Sequence, residues 1–308
     1  MVELTRSFPG PPRRPGYHLL FKGEGFAVQD CVCHCVRDSP ASQNVFATHR
    51  VALLTGGSFH YESDYGVTLL GPGSMLLGRA GGGYCFRHVD DGGDRSVTFD
   101  FSDEFLYQVR CSSGIRCIDR ADFHAVSSIP ASRHTTAATA LAVQALYLDD
   151  PDTWEELAFR VATTAVVGAA RIDAAGDRLL DKTTQKLSWV EERKIARALR
   201  HVEAHHHEDC SLRVLADEAG MSIYRFLRLF KKLTSQTPRQ YLVATRLRAA
   251  AALLVETTDK VLEIAYAVGF GDISHFNHAF AATFGVSPTR FRRLGQFSHR
   301  PDCQSIRR

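Results

Sequence analysis

Three stretches of this sequence carry side chains whose types and spacing suit them to act together. In the first, Ile223 to Leu233, the polar residues Tyr224, Arg228 and Lys231 recur at intervals of four and three. The apolar Phe226, Leu229, Phe230 and Leu233 recur in the same way. On a helix such spacing sorts residues onto two faces, and the apolar face must be core. The other face carries Ile223, Tyr224, Leu227 and Arg228, flanked by Arg225, Lys231 and Lys232. Hydrogen-bond donors and positive charge in that arrangement suit base edges and phosphates in a DNA major groove. In the second stretch Phe276, Phe280 and Phe284 make the apolar stripe, and Ile273, Ser274, Asn277, His278 and Ala281 face outward. Asn277 has the amide that can pair with an adenine edge. The third stretch is Cys31-Val32-Cys33-His34-Cys35-Val36. On a strand, Cys31, Cys33 and Cys35 would line one side and His34 the other. Thiols so placed offer ligands for Zn2+ or Cu+, or a redox-sensitive group. The plainer reading is a buried strand in which Cys is a small hydrophobe. Three adjacent ligands leave a tetrahedral site incomplete, and Cys85, Cys111 and Cys117 are the thiols available to extend it. No metal and no cofactor is assigned.

The elements that must position these residues are legible from punctuation. Leu215-Ala216-Asp217-Glu218-Ala219-Gly220 is followed by Phe226, Phe230, Thr237-Pro238 and Tyr241. Ile264-Ala265-Tyr266-Ala267-Val268-Gly269 is followed by Phe276, Phe280, Ser287-Pro288 and Phe291. Ala216/Ala265 and Gly220/Gly269 differ by 49 positions, and Phe226/Phe276, Phe230/Phe280 and Pro238/Pro288 by 50. One helical unit is therefore written twice. A short helix, a glycine turn and a second helix is the helix-turn-helix layout. Ser211 is read as the cap of a helix ending at Gly220, and Asp259 as the cap of one ending at Gly269. Thr237-Pro238 with Gln240 forms a capping box, and Ser287-Pro288 repeats the Thr237-Pro238 pair. Pro238 to Glu256 between the copies reads as one helix of 19 residues. At ~1.5 Å per residue it spans roughly 28 Å. Two outward faces held near that distance could enter successive major grooves, about 34 Å apart.

Residues 17 to about 125 read as β-structure. Phe26-Ala27-Val28, Val51 to Leu54, Val67 to Leu70 and Ser96 to Phe101 are short apolar runs between glycine-rich turns, as in a sandwich or small barrel. Helical periodicity follows over 132–148 and 153–172, broken at Asp149 to Asp152. The expected organisation is α+β. Residues 1–16 form a flexible arm with four prolines and three arginines; 17–175 form the β-rich part with two trailing helices. Residues 176–191 form a linker, 192–295 a helical part, and 296–308 a disordered basic tail.

Charge divides along the same line. From Glu192 onward there are 19 Lys and Arg against 11 Asp and Glu; before it there are 18 against 23. Only the C-terminal part therefore points to a polyanion. No run approaches the ~18 apolar residues of a membrane span. The arm lacks the apolar core of a secretory signal, and the eight cysteines are irregularly spaced. The expectation is a soluble cytoplasmic protein with reduced thiols and no membrane contact.

The residues already quoted, with Glu203-Ala204-His205, Ser211-Leu212, Gly220-Met221-Ser222, Arg246-Leu247-Arg248, Leu253-Leu254, Val268-Gly269-Phe270, Ser274-His275-Phe276 and Phe284 to Pro288, resemble the AraC/XylS family of bacterial transcription regulators. The resemblance covers about 100 residues. It implies sequence-specific binding to double-stranded DNA beside promoters, commonly with recruitment of RNA polymerase. It also implies an N-terminal cupin-like barrel that binds a small effector or forms a homodimer; Gly71-Pro72-Gly73-Ser74 looks like a cupin turn. Four positions depart from the family pattern. Ala281-Ala282 and His278 stand where basic residues are usual, and Leu227 where a polar residue is common. The first copy is therefore expected to dominate affinity through Arg225, Arg228, Lys231 and Lys232.

Other readings compete. A thiol- or metal-responsive regulator would use Cys31, Cys33 and Cys35, and an architectural DNA binder would need no effector. A cupin enzyme would need converging histidines, but His49, His60 and His88 are isolated and only His60-Tyr61-Glu62 comes near; the chain is read as no enzyme. His201-Val202-Glu203-Ala204-His205 has its Glu in the wrong place for a zinc protease, and with His206 and His207 it reads as solvated helix surface. The helices at 132–148 and 153–172 either form a dimer interface or merely cover the barrel, and the dimer is favoured.

Overall fold

The expected apolar runs become strands in the computed structural model, which describes residues 16–35, 43–88, 93–114, 126–146, 151–176 and 189–297. Residues 1–15 of the arm, 177–188 of the linker and 298–308 of the tail lie outside the described residues, and the first two residues of the expected tail belong to the last helix. The strands are β1 (Gly16–Gly23), β2 (Phe26–Cys33), β3 (Asn44–Val45), β4 (His49–Gly57), β5 (Phe59–Ser63), β6 (Gly66–Leu70), β7 (Met75–Gly78), β8 (Gly83–His88), β9 (Asp94–Phe101) and β10 (Ser128–Ile129). They form two antiparallel sheets, β1-β2-β9-β4-β7-β10 and β3-β8-β5-β6.

The sequence of β4 explains the layering. Val51-Ala52-Leu53-Leu54 is apolar without alternation, so both faces need cover. Val51 and Leu53 enter a core shared with helices, and Ala52 and Leu54 enter a core shared with the smaller sheet. The helical cover is α1 (Asp103–Ser112), α2 (Arg133–Ala145) and α3 (Pro151–Gly176). Reading β-structure through residue 125 misses α1. Ser102 caps it by accepting from Phe105 N, Asp103 and Glu104 fill its first turn, and Leu106 and Val109 are buried. The strand ending at Phe101 runs straight into that cap, which hides the change of period. The apolar stripe of α3 (Trp154, Leu157, Ala158, Val161, Ala162, Ala165, Val166) is spent on the large sheet. That stripe covers the barrel and is not free for a second copy.

The helical part runs through α4 (Trp189–His205), α5 (Leu212–Glu218), α6 (Ile223–Thr234), α7 (Pro238–Glu256), α8 (Val261–Ala267), α9 (Ile273–Phe284) and α10 (Pro288–Phe297). Each copy of the repeat has its own core. Ile195, Leu199 and Val202 of α4 pack with Leu215, Phe226, Phe230 and Tyr241. Leu247, Ala251 and Leu254 of α7 pack with Ile264, Phe270, Phe276, Phe280 and Phe291. Helix α7 belongs to both cores and opens with the expected box: Thr237 Oγ1 accepts from Gln240 N at 3.3 Å, and Gln240 Oε1 accepts from Thr237 N at 2.9 Å. The reading of Asp259 as a cap is corrected. Lys260 stands at the start of α8, where the Glu263 carboxylate accepts from its N–H at 3.1 Å. The Asp259 carbonyl instead accepts from Arg292 Nη2 at 2.6 Å.

The two parts touch. Ala140 of α2 is buried in the core of the second copy, and Leu69 of β6 in that of the first. Gln236 Nε2 donates to Ala131 O at 2.6 Å. His60 Nε2 of β5 lies 2.7 Å from Glu192 Oε2 of α4.

Candidate nucleic-acid interface

The same turn is built twice. Ser211 Oγ accepts from Val214 N and starts α5. After α5, Gly220 N donates to Asp217 O at 2.9 Å and Met221 N to Ala216 O at 3.0 Å. After α8, Gly269 N donates to Tyr266 O at 2.9 Å and Phe270 N to Ala265 O at 3.0 Å. Both glycines sit at positive φ, +58° and +93°, which a residue with a Cβ resists. At Gly269 a Cβ would also stand 2.9 Å from the Arg246 guanidinium. The turn therefore fixes the angle between the paired helices.

On α6, Phe226, Leu229 and Phe230 are buried. Ile223, Tyr224, Arg225, Leu227, Arg228, Lys231 and Lys232 are all exposed, Tyr224 by 79% and Leu227 by 36%. The basic residues differ in surroundings. Arg225 Nη2 donates to Glu191 Oε1 of α4 at 2.7 Å. Lys232 lines a cavity of ≈ 230 Å³ with Thr68, Pro72 and Ser128 of the β-rich part. Arg228 and Lys231 lie on the remaining exposed surface. On α9, Asp272 caps the helix by accepting from Ser274 N at 2.8 Å and His275 N at 3.4 Å. Phe276 and Phe280 are buried; Ser274, Asn277, His278, Ala281 and Ala282 are exposed, and Ile273 is half-buried. The first outward face is basic, and the second is polar and uncharged apart from its histidine.

Sequence reasoning missed the polar hub behind these helices. Glu203, read as solvated surface, accepts at Oε1 from Tyr241 Oη (2.8 Å), Thr245 Oγ1 (3.0 Å) and Arg248 Nη2 (2.8 Å). Burial, then the Glu203 charge, pushes the Tyr241 hydroxyl well above its usual pKa. Arg248 also packs on the β6–β7 turn, where a Cβ on Gly73 would lie 2.7 Å from its Nη1. The available signal was Glu203 standing four residues after Leu199 on the apolar stripe of α4.

The three candidate histidines of the β-rich part separate from one another. His49 Nε2 pairs with Asp103 at 2.6 Å, His60 with Glu192 at 2.7 Å and His88 with Asp94 at 2.7 Å, so the three histidines hold three different carboxylates. Glu62 pairs with Arg87 at 2.9 Å. Cys31 and Cys33 are buried on β2, whereas Cys35 lies beyond its end. Burial, then Asp94, raises both buried thiols, Cys31 to about 11. Cys85 is buried on β8, Cys111 is exposed on α1, and Cys117 lies outside the described residues.

Residues 215–294 match the family model described as a helix-turn-helix domain. The HTH-type transcriptional activator RhaS of Enterobacter sp. (strain 638) is 38% identical over 92 residues, which cover 30% of this chain and 33% of that protein. The transcriptional activator NphR of Rhodococcus sp is 36% identical over 100 residues, covering 32% and 30%. A solved transcriptional regulator of Chromobacterium violaceum, described as having an AraC-type DNA-binding domain, is 29% identical with a TM-score of 0.33, covering 35% of this chain and 94% of that one. The chain spans about a third of the length of these curated relatives.

Proposed function

Taking residues 215–294 as an AraC-type double helix-turn-helix domain, we propose that this chain is a sequence-specific DNA-binding transcription regulator. The observation that carries this reading is the duplicated turn presenting two outward faces from one rigid α7. Ile223, Tyr224, Leu227 and Arg228 are the base-facing set of the first copy; Ile273, Ser274, Asn277 and His278 are that of the second. Lys231 contacts phosphate as the helix stands. Arg225 does so once it leaves Glu191, and Lys232 once it turns from the cavity between the two parts. The first copy supplies most of the affinity because its face is the basic one.

The expected footprint covers two adjacent major grooves on one face of the duplex. Footprinting of selected genomic fragments at two salt concentrations tests it, and binding without sequence preference would overturn it. Arg228→Ala should lower operator affinity by about 1–3 kcal/mol, whereas Asn277→Ala should mainly relax preference at one base pair. If Arg228→Ala left affinity intact while Asn277→Ala abolished it, the second copy would be the anchor.

The β-rich part, residues 17–175, is the cupin-like regulatory half in this reading, joined by the linker 176–191 to the DNA-binding residues 192–295. Cavities of ≈ 230 and ≈ 600 Å³ between the halves support control by a small effector. A homodimer is supported by Tyr107 on α1 and Phe159 on α3, large apolar side chains 60% and 47% exposed on helices that pack together. RNA polymerase is the further partner, since both named relatives are described as activators. The setting is the cytoplasm and the activity is binding, not turnover; no helix among the described residues is long and apolar enough to cross a membrane.

A further inference from the structure

Strand pairing assembles a cluster at one end of the β-sandwich that DNA binding does not use. Cys33 closes β2 and pairs across the ladder with Asp94, the first residue of β9. His88 closes β8 in the opposite sheet. Gly93, just before β9, lies hard against the end of β2, where a Cβ would collide with Cys33 O. The result is that one ligand atom each from Cys33, Cys35 and His88 lie within 4.8 Å of one another, the one grouping of this kind among the described residues. Cys33 Sγ is 3.4 Å from His88 Nε2, and Asp94 Oδ1 is 2.7 Å from the same nitrogen. The side chains of His88 and Asp94 are only 6% and 9% exposed, and Cys33 is 5% exposed. Cys31 faces the same interior but is not in the group, and Asp94 reaches it only through its hydrogen bond to His88.

We propose that Cys33, Cys35 and His88 bind Zn2+, with the Asp94 carboxylate as fourth donor. Two sulfurs, one imidazole and one carboxylate are the donor types of a tetrahedral zinc centre. With Zn–S near 2.3 Å and Zn–N near 2.0–2.1 Å, a tetrahedral S···N edge is about 3.6 Å. The Cys33–His88 separation of 3.4 Å is already close to it. The matching N···O edge is about 3.3 Å. Asp94 lies outside the 4.8 Å grouping, so its carboxylate must exchange its 2.7 Å hydrogen bond to His88 for the shared ion and turn toward the sulfurs to reach it. Cys35 lies beyond the strand and can close on the ion without disturbing the ladder. The centre sits one strand from the contact between the two halves: the Phe59 ring is 6.0 Å from the His88 ring, and the next residue, His60, holds Glu192 of α4.

The test uses the full chain, stripped of metal and kept reduced, and reads metal binding without DNA, so it stands apart from the regulator reading. One equivalent of Zn2+ should bind in competition with a chromogenic chelator. Co2+ in its place should show thiolate charge-transfer absorption and the intense visible bands of tetrahedral coordination. Cys35→Ser and His88→Asn should abolish both, with the fold checked by circular dichroism, while Cys31→Ser and Cys111→Ser should leave them unchanged. Asp94→Asn should weaken Zn2+ binding, since it removes the charged fourth donor. The proposal is overturned if no equivalent binds, if binding survives Cys35→Ser, or if Cys31→Ser removes it. It is also overturned if the chain answers only oxidant, by forming a Cys33–Cys35 disulfide.

Discussion

Ser235 is the single non-glycine residue with positive φ among the described residues, at 58°. It ends α6 where Gly285, at 75°, ends α9, and each N–H donates back to the carbonyl four residues earlier. The left-handed conformation costs an L-residue roughly 1–2 kcal/mol. Ser235→Gly should therefore stabilise the chain by about 1 kcal/mol, net of the greater freedom glycine has when unfolded. Urea denaturation measures it, and a lower midpoint would refute the argument. His206 makes a second residue-scale prediction. Burial, against the opposing pull of the Glu203 carbonyl and charge and together with His207 and Arg246, lowers its pKa from 6.5. The unfolded chain then takes up the proton first as pH falls. Stability from this group is complete above about pH 6.5 and declines below it. The melting temperature should fall between pH 7 and pH 5.5, and His206→Gln should reduce that slope. Residues of one helix were placed on their faces from spacing alone, as Tyr224, Arg228, Phe226 and Phe230 show. The grouping of Cys33 with His88 was not legible, because the two are 55 positions apart and only strand register joins them.

At the scale of elements, the helical repeat was readable because its punctuation is local. The cap at Thr237 illustrates this: Thr237→Ala removes an acceptor for Gln240 N and should cost about 1 kcal/mol, seen as a lower denaturant midpoint with an unchanged slope. A wild-type midpoint would mean that water replaces the bond. Other couplings between elements left no local sign. Arg246 of α7 donates to His206 O (2.7 Å) and Glu208 O (3.1 Å), closing the end of α4. Arg292 of α10 donates to Leu254 O (3.2 Å) and Asp259 O (2.6 Å), closing the end of α7. Each copy thus uses an arginine from a later helix to satisfy the carbonyls where its first helix stops. Helix α1 was missed for the opposite reason: its cap is written plainly, but a strong strand signal abuts it.

For the whole molecule, the contact between sheet and helical repeat was invisible in the sequence, since single residues of the β-rich part, Leu69 and Ala140, enter the helical cores from otherwise local patterns. Ala140 shows how the halves meet, a small residue of α2 seated beside Leu247 and Ala251. Ala140→Glu puts an unpaired carboxylate into that contact, which should separate the halves while leaving each folded. The radius of gyration from X-ray scattering should rise with no loss of helical circular dichroism. An unchanged radius would mean that docking does not depend on this contact.

If the two copies read DNA as proposed, the single 19-residue α7 has a consequence for the duplex itself. A duplex advances one turn in about 10–10.5 base pairs, so one inserted pair rotates everything beyond it by roughly 35°. A continuous helix cannot twist to follow. The operator should behave as a two-part lock with fixed phasing. Inserting about five base pairs between its two elements should abolish simultaneous engagement, and inserting a full turn should not restore it, because α7 cannot lengthen.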